Sequence, residues 1–407
     1  AVARRRPRWQ PDPELGRDQL LRASVLPVIS RFLLGVALCV LVLVSSFTTY
    51  VYLGGRQSKV AAPAQKPTVA SPKPHAFTLS GTMYLSQNGA LYSLSAGRFH
   101  QLTPEDGWTQ PSLYPDGSAL LAVRRTNLFS DVYVLSLYGQ VIAQETSNTA
   151  PLRDPDTGSR HWSFYPRLTP DRNTLFMSYD SPKYGYDVPF SIWSMPVGGS
   201  IAQGKLWTNS NDYTGGDMQP IPVSNSAIVY TKYSYDPDGN LTGQLWLTTH
   251  PTSSGVEGRA LTAPGDDCIQ PSFSPDGHMV AMVCTYQRQI ARLEIGNWDG
   301  SNITNRHYLI IDQLVAQPTW APDGSGIAYL APGSGDAPFQ LWFLPKDAYN
   351  PPPPPPTPIP TPTPGGPYHG SAPSPTPAPA VVAPIIKPIQ ITTNAGFDAT
   401  SPLAWAG

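Results

Sequence analysis

One short phrase recurs along the chain and limits the folds that it can adopt more than any other feature. It consists of one residue, a proline, three further residues and then Pro-Asp, which glycine usually follows. Four copies begin at Gln110, Tyr165, Gln270 and Gln317, a degraded copy begins at Gln219, and a last one begins at Ser401. Their first prolines are 55, 54, 51, 47 and 84 residues apart, and removing a proline-rich tract at 350–388 shortens the last interval to about 45. This period is typical of one β-propeller blade.

The Pro-Asp-Gly element of each copy predicts a tight turn. Proline presets φ, the aspartate carboxylate caps the turn, and glycine takes the left-handed position. We therefore assign a structural role to the turn aspartates Asp116, Asp171, Asp276 and Asp323. An apolar strand follows each turn, as at 119–123 and 279–283, and further short strands precede the next copy. Four antiparallel strands per repeat predict an all-β protein made of propeller blades.

The two ends of the repeat region complement each other. Residues 80–103 supply a second, third and fourth strand without a first, and Thr400 to Trp405 supply a first strand with none after it. Joining them in one blade closes the ring and removes two exposed sheet edges. The sequence therefore predicts a six-bladed β-propeller over residues 77–407, with four-stranded antiparallel blades.

The repeated phrase resembles the WD40-like PD40 repeat of the TolB-type six-bladed propellers. The resemblance covers 77–349 and 387–407, and it does not extend to the separate N-terminal domain of TolB proteins. It implies the same fold. By analogy, it also implies a non-enzymatic scaffold that binds a protein or peptide on the face with the longer loops.

An apolar segment precedes the repeats. Residues 32–53 are 22 positions without a charge, and as a helix of about 33 Å they would cross a bilayer core. Seven arginines and three acidic residues precede this segment, so the positive-inside rule places 1–31 in the cytoplasm as a basic tail. We predict a single-pass signal-anchor in the cell membrane, with the propeller in the periplasm or at the cell surface. A cleaved signal peptide is the alternative.

The chain changes composition after the apolar segment. Residues 54–76 are rich in alanine and proline without an apolar period, which predicts an extended stalk. Residues 60–407 carry 18 basic and 25 acidic side chains, a net charge of −7. We therefore expect no binding of nucleic acid, which requires a basic surface.

Two cysteines flank one of the turns. Cys268 and Cys284 are equally distant in sequence from Asp276, which predicts that they face each other across a hairpin. An extracytoplasmic location permits a disulfide between them. The alternative is a pair of buried free thiols, which a one-residue bulge at the turn would favour.

The proline-rich tract 350–388 has 17 prolines in 39 positions, which predicts an exposed, disordered polyproline II loop. It interrupts a repeat between its third and fourth strands, so both ends are anchored on the face of the Pro-Asp-Gly turns. One interpretation is an arm that contacts a partner or the cell wall. The other is a tolerated spacer.

Acidic residues recur just before the first strands, on the opposite face: Asp106, Asp217, Asp267 and Asp398. A ring of loop carboxylates around a central channel could bind a basic peptide or a cation such as Ca²⁺. Aspartates that cap turns are the alternative. The sequence shows no metal-ligand spacing, nucleophile elbow or phosphate-binding loop, so we expect no catalytic residue and no cofactor.

These patterns favour a membrane-tethered, extracytoplasmic propeller that acts as a non-enzymatic scaffold for a protein or peptide. The alternative is a propeller enzyme, or a ligand or metal sensor, with its site at the channel mouth.

Overall fold

The computed structural model describes residues 78–149, 159–183, 189–256, 258–285, 290–333, 338–350 and 387–407. The predicted cytoplasmic tail 1–31, signal-anchor 32–53 and stalk 54–76 lie outside these residues, as does the proline-rich tract apart from its ends. Within the described ranges, no helix has the length and apolar character needed to cross a membrane.

The described chain forms six four-stranded antiparallel sheets, which confirms the predicted six-bladed β-propeller. The strands of blades 1 to 3, in chain order, are β4 (Trp108–Leu113), β5 (Leu120–Arg125), β6 (Ser130–Leu135) and β7 (Val141–Gln144); β8 (Ser163–Leu168), β9 (Thr174–Tyr179), β10 (Ser191–Pro196) and β11 (Lys205–Leu206); and β12 (Asp217–Ser224), β13 (Ala227–Tyr235), β14 (Leu241–Thr248) and β15 (Arg259–Ala260).

Blades 4 to 6 complete the ring. Their strands are β16 (Cys268–Phe273), β17 (Met279–Cys284), β18 (Arg292–Trp298) and β19 (Ile303–Ile310); β20 (Ala316–Trp320), β21 (Gly326–Pro332), β22 (Phe339–Pro345) and β23 (Ile389–Gln390); and β24 (Ala404–Ala406), β1 (Thr82–Gln87), β2 (Ala90–Ser95) and β3 (Arg98–Gln101). Short 3-10 turns occur at Ile201–Gln203, Thr252–Ser254, Pro264–Asp266 and Lys346–Ala348.

The core consists of apolar clusters between neighbouring blades. One cluster joins Leu121 and Val123 of blade 1 to Leu175 and Met177 of blade 2, and every other pair of adjacent blades shares such a cluster. Both faces of each sheet are therefore covered, which explains why the middle strands are almost continuously apolar instead of strictly alternating.

The innermost strands of five blades share a bulge at the residue before the first proline. In blade 1, for example, the register shifts between Thr109 and Ser112. The five residues before these prolines have φ between 51° and 57°: Gln110, Tyr165, Gln219, Gln270 and Gln317. Proline is tolerated because an innermost strand pairs on one edge only, so its missing N–H removes no ladder hydrogen bond.

The Pro-Asp-Gly turns have the expected geometry. The Gly277 N–H donates to the Ser274 carbonyl at 2.9 Å, and Gly277 has φ of 70°. The Asp276 carboxylate accepts hydrogen bonds from the Ser274 hydroxyl at 2.5 Å and the His278 N–H at 3.1 Å. In blade 2, Arg172 occupies the glycine position with φ of 64°. Asp116, Asp171 and Asp323 likewise accept an N–H from the second residue after them.

Blade 6 closes the ring as predicted, because its first strand comes from the C-terminal part of the chain. β24 pairs antiparallel with β1, with Trp405 opposite Met83. The strand is shorter than expected, and its predicted start at Thr400 instead belongs to a turn that Asp398 caps. The Trp405 indole donates to the Ser80 carbonyl at 2.8 Å and contacts the Phe343 ring edge-on.

Replacing Trp405 with alanine should destabilise the protein by about 3–5 kcal/mol, because the substitution leaves a cavity where the ring closes. The Trp405 side chain is 7% exposed. The measurement is urea unfolding of the full chain followed by circular dichroism. Tyr138→Ala is the control, since Tyr138 is 84% exposed and should change stability by less than about 0.5 kcal/mol. Equal midpoints for both variants would contradict this role of β24.

The hydrogen bonds from Ser274 and His278 hold the pKa of Asp276 below its ordinary value of 3.8. A lowered folded-state pKa stabilises the protein above the unfolded-state pKa, and this stabilisation disappears as the pH falls through the folded value. Asp276→Asn should therefore be less stable than the parent chain at neutral pH, and the difference should shrink below pH 3.8. Urea midpoints across this pH range measure the effect. Asp347→Asn should follow the parent throughout, because the exposed Asp347 accepts no hydrogen bond from the described residues.

Candidate functional site

The six innermost strands surround a cavity of about 250 Å³ at the centre of the ring. Every blade contributes to its wall. The lining includes Leu113 from blade 1, Arg167 from blade 2, Gln219 from blade 3, Gln270 from blade 4, Gln317 from blade 5 and Leu403 from blade 6. This cavity is the central channel of the propeller, and the bulges before the prolines determine which side chains line it.

The residues before the prolines form a hydrogen-bonded belt around part of the channel. The Gln317 N–H donates to Gln270 Oε1 at 2.7 Å, and the Gln317 Nε2 group donates to the Ala399 carbonyl at 3.1 Å. The belt continues into blade 1, where the Gln110 N–H donates to the Ser401 hydroxyl at 2.8 Å. These bonds satisfy backbone groups that the bulges would otherwise leave unpaired.

The belt is interrupted between blades 2 and 4. Gln110 Oε1 accepts the Tyr165 N–H at 2.7 Å, but Tyr165 has no side-chain amide to extend the chain of bonds. The Gln219 N–H donates to the Ser178 hydroxyl at 3.2 Å instead. Gln219 Oε1 is buried without a hydrogen-bond partner among the described residues. This side of the channel therefore has unused hydrogen-bonding capacity.

Arg167 lies on the same side of the channel. Among the described residues that line the cavity it is the one charged side chain, and none of the described residues forms an ion pair or hydrogen bond with its guanidinium. Burial lowers the pKa of Arg167 to about 10. The residue is partly exposed and belongs to the lining of the channel.

Arg167 was not among the predicted site residues, although its position in the repeat distinguishes it in the sequence. It directly follows the first proline of its repeat. The other repeats have small or apolar residues there: Ser112, Ile221, Ser272, Thr319 and Leu403. Aligning the copies by this proline would have marked the arginine as the exception.

The predicted acidic residues lie at the entries to the first strands, as expected, but each has its own local partner. Asp106 forms an ion pair with Arg124 and is exposed. Asp217 is fully buried, with its Oδ1 3.5 Å from the Lys232 Nζ, which also donates to the Asn209 carbonyl at 2.6 Å. Burial raises the pKa of Asp217, and the neighbouring Lys232 opposes this effect.

The other two predicted acids connect neighbouring blades. The Asp267 carboxylate accepts the Gly243 N–H at 2.6 Å, which ties blade 4 to blade 3. The Asp398 carboxylate accepts the Thr400 N–H at 2.9 Å and the Thr109 hydroxyl at 3.3 Å, which ties blade 6 to blade 1. None of the four predicted acids lines the cavity, and they do not form a group with metal-ligand spacing. A shared ligand for them stays a prediction.

Sequence reasoning also missed a buried polar cluster on the loops of blade 2. Asp180 is fully buried, and its Oδ1 accepts the Trp162 N–H at 2.9 Å and lies 2.9 Å from His161 Nδ1. The Lys183 Nζ lies 3.1 Å from Asp180 Oδ2. The His161 ring stacks on Tyr179, with ring centres 4.9 Å apart. These contacts fix the ends of two long loops, because they connect residues from both.

One face of the propeller concentrates exposed apolar side chains. We define the loop face as the connections between second and third strands together with those leading to each next blade. Thirteen large apolar side chains of the described residues are exposed, and seven of them lie on this face or at the strand ends beside it: Leu128, Tyr213, Tyr235, Leu241, Ile290, Ile311 and Leu314. The Tyr235 hydroxyl donates to the Tyr213 carbonyl at 2.8 Å, so the long β13–β14 hairpin contacts the preceding loop.

Cys268 and Cys284 form the predicted disulfide, and the bulge in this hairpin lies within the first strand and not at the turn. Ser274 pairs with Met279 across the turn, and this register alone would place Cys268 opposite Thr285. The bulge at Gln270 shifts the pairing by one residue and brings Cys268 opposite Cys284. The bulge at Gln270 thus brings the two cysteines into register, whereas the sequence-based expectation considered only a bulge at the turn, which would separate them.

Arg306 packs against this disulfide. Its Nη2 lies 3.3 Å from the Cys268 sulfur, and its guanidinium also forms ion pairs with Glu294 and Asp266. Burial alone would lower the pKa of Arg306, but the hydrogen bonds to the two carboxylates outweigh it and raise the pKa. Both sulfurs and a Glu294 oxygen lie close together, yet sulfurs joined in a disulfide are not thiolates and do not bind a metal.

The sequence matches no protein-family model and no curated protein. Similar solved structures include TolB from Acinetobacter baumannii (16% identity, TM-score 0.49, 66% of this chain and 62% of that chain) and a putative TolB from Agrobacterium tumefaciens (14%, 0.47, 80% and 94%). A puromycin-hydrolyzing peptidase from Mycobacterium tuberculosis is also similar (10%, 0.40, 65% and 45%). The chain therefore spans less than two thirds of the Acinetobacter protein. At these identities the likeness concerns the fold alone.

Replacing both Cys268 and Cys284 with serine should lower the free energy of unfolding by about 3 kcal/mol, because a cross-link over a loop of this length restricts the unfolded chain. The two cysteines are 16 residues apart. Urea unfolding with and without dithiothreitol measures the effect. The reductant should destabilise the parent chain and leave the double variant unchanged. A parent chain that does not respond would contradict a stabilising disulfide.

Proposed function

We propose that this chain is a membrane-tethered, extracytoplasmic propeller that binds a protein or peptide partner through its loop face and catalyses no reaction. The observation that carries this proposal is the distribution of the exposed apolar side chains. The loop face has seven of the thirteen, whereas the connections on the opposite face have Tyr138 and Val256. Grouped apolar side chains on a folded surface are typical of an interaction site.

The apolar residues of the loop face are themselves concentrated. Six of the seven lie between the last strand of blade 2 and the first strand of blade 5, and Leu128 in blade 1 is the exception. Two tyrosines belong to this sector, and aromatic residues are enriched at the centres of protein interfaces. A partner that docks over blades 3 and 4 would cover both tyrosines.

The tether is supported by the sequence alone. The charge-free residues 32–53 and the arginines before them favour an anchor with the repeats on the outer side of the membrane. A disulfide in blade 4 is consistent with such an oxidising location. The alanine- and proline-rich residues 54–76 would hold the propeller at a distance from the membrane.

The test is cross-linking of the tagged full chain in native membranes, followed by purification and identification of captured proteins. The double variant Leu241→Asp/Ile311→Asp places two charges on the loop face and should reduce capture of a specific partner by about tenfold or more. Both side chains are exposed, at 47% and 59%, so the fold should tolerate the change.

The matched control is Tyr138→Asp/Val141→Asp, which introduces the same charges outside the loop face. This variant should capture the partner as the parent does, and thermal midpoints of both variants should match the parent. Loss of capture by the control alone, or equal capture by all three proteins, would contradict binding at the loop face.

A further inference from the structure

We propose that the central channel binds a carboxylate group, with Arg167 as its cationic partner. The ligand is a small carboxylic acid, either free or as the C-terminus of a peptide. This site is separate from the loop face and does not depend on partner binding there, because the residues involved are different.

The charge of the cavity wall favours an anion. Arg167 lines the cavity, and no acidic residue among the described ones lines it with Arg167. With a pKa of about 10, the guanidinium stays protonated at neutral pH. A charge with reduced hydration and no partner costs free energy, and an anion that enters the cavity recovers part of this cost.

Two neutral groups in the same wall can add hydrogen bonds. The Gln270 Oε1 already accepts the Gln317 N–H at 2.7 Å, while its Nε2 group has no partner among the described residues. The Ser272 hydroxyl also has none there. A carboxylate accepts several hydrogen bonds, so an arginine, a hydroxyl and an amide are suitable donors for it.

The size and lining of the cavity favour a carboxylate over other anions. One cation balances one negative charge, whereas a phosphate would bring up to two. Ile221, Phe273, Leu403 and several prolines also line the wall, and they suit a carbon body attached to the acid. The volume of about 250 Å³ is below the range of roughly 300–1,000 Å³ that drug-sized ligands occupy, so a single small group fits.

The ring does not need an arginine at this position for its structure. The other repeats have small or apolar residues directly after the first proline, such as Ser272 and Leu403, and their blades still join the ring. If Arg167 had a packing role, replacing it would lower the stability of the protein. If Arg167 instead binds a ligand, replacing it should leave the thermal midpoint of the ligand-free protein unchanged or higher.

The test is isothermal titration calorimetry on the full 407-residue chain in mild detergent, with a thermal unfolding series alongside. The probes are acetate, N-acetylalanine, N-acetylalanine amide, inorganic phosphate and the peptide acetyl-Ala-Ala-Ala as free acid. We expect the three carboxylates to bind and to raise the thermal midpoint, and the amide to do neither. Tighter binding of the peptide than of N-acetylalanine identifies a peptide C-terminus as the ligand; equal affinity identifies a free acid.

Arg167→Met should weaken carboxylate binding on the order of 10- to 100-fold, because it removes a charge-assisted hydrogen bond. Arg167→Lys keeps the charge and should retain part of the affinity, which covers the case in which the methionine variant folds poorly. Arg98→Met is the control, since Arg98 is exposed on the outer strand β3 and should bind as the parent does. No carboxylate binding by the parent chain, tighter binding of phosphate, or unchanged affinity in Arg167→Met would overturn the proposal.

Discussion

The bulge at the residue before the first proline, which five of the six innermost strands share, is the constraint on which much of the molecule depends. It is possible because the innermost strand of a blade pairs along one edge only, so proline can enter it without breaking a ladder. The left-handed backbone of Gln110 and its counterparts costs conformational energy, and the hydrogen bonds of the belt offset this cost. The same one-residue shift sets the register that brings Cys268 opposite Cys284.

The fold could be predicted from the sequence because four of the six blades carry the full repeated phrase and the other two carry recognisable parts of it. The repeated turns and apolar strands indicated propeller blades, and the complementary ends indicated that there are six. Such agreement between local and global features is typical of a sequence that specifies one structure. Strand ends were less predictable. The first strand of blade 6 was expected to begin at Thr400, but the Thr400 N–H donates to the Asp398 carboxylate in a turn, and β24 begins only at Ala404.

The candidate site was harder to predict, because a channel wall combines single residues from six distant segments. Arg167 is notable because none of the described residues forms an ion pair with its guanidinium, and a sequence does not show the absence of a neighbour. The loop acids show the converse. Asp217 and Asp267 resemble each other in sequence position, yet one is buried beside Lys232 and the other caps a backbone N–H of blade 3. Their environments depend on side chains from other strands, which no local pattern reveals.

Blade 6 combines β24 with β1, β2 and β3, and this combination determines when the ring can form during synthesis. β1 emerges from the ribosome among the first strands, but its partner β24 emerges more than 300 residues later. Until then, β1 exposes an unpaired edge that could pair with another chain. Blades 1 to 5 can assemble in the order in which they are made, apart from β23, which also follows the proline-rich tract. A nascent chain stalled within that tract would therefore present an open ring whatever the stability of its finished blades.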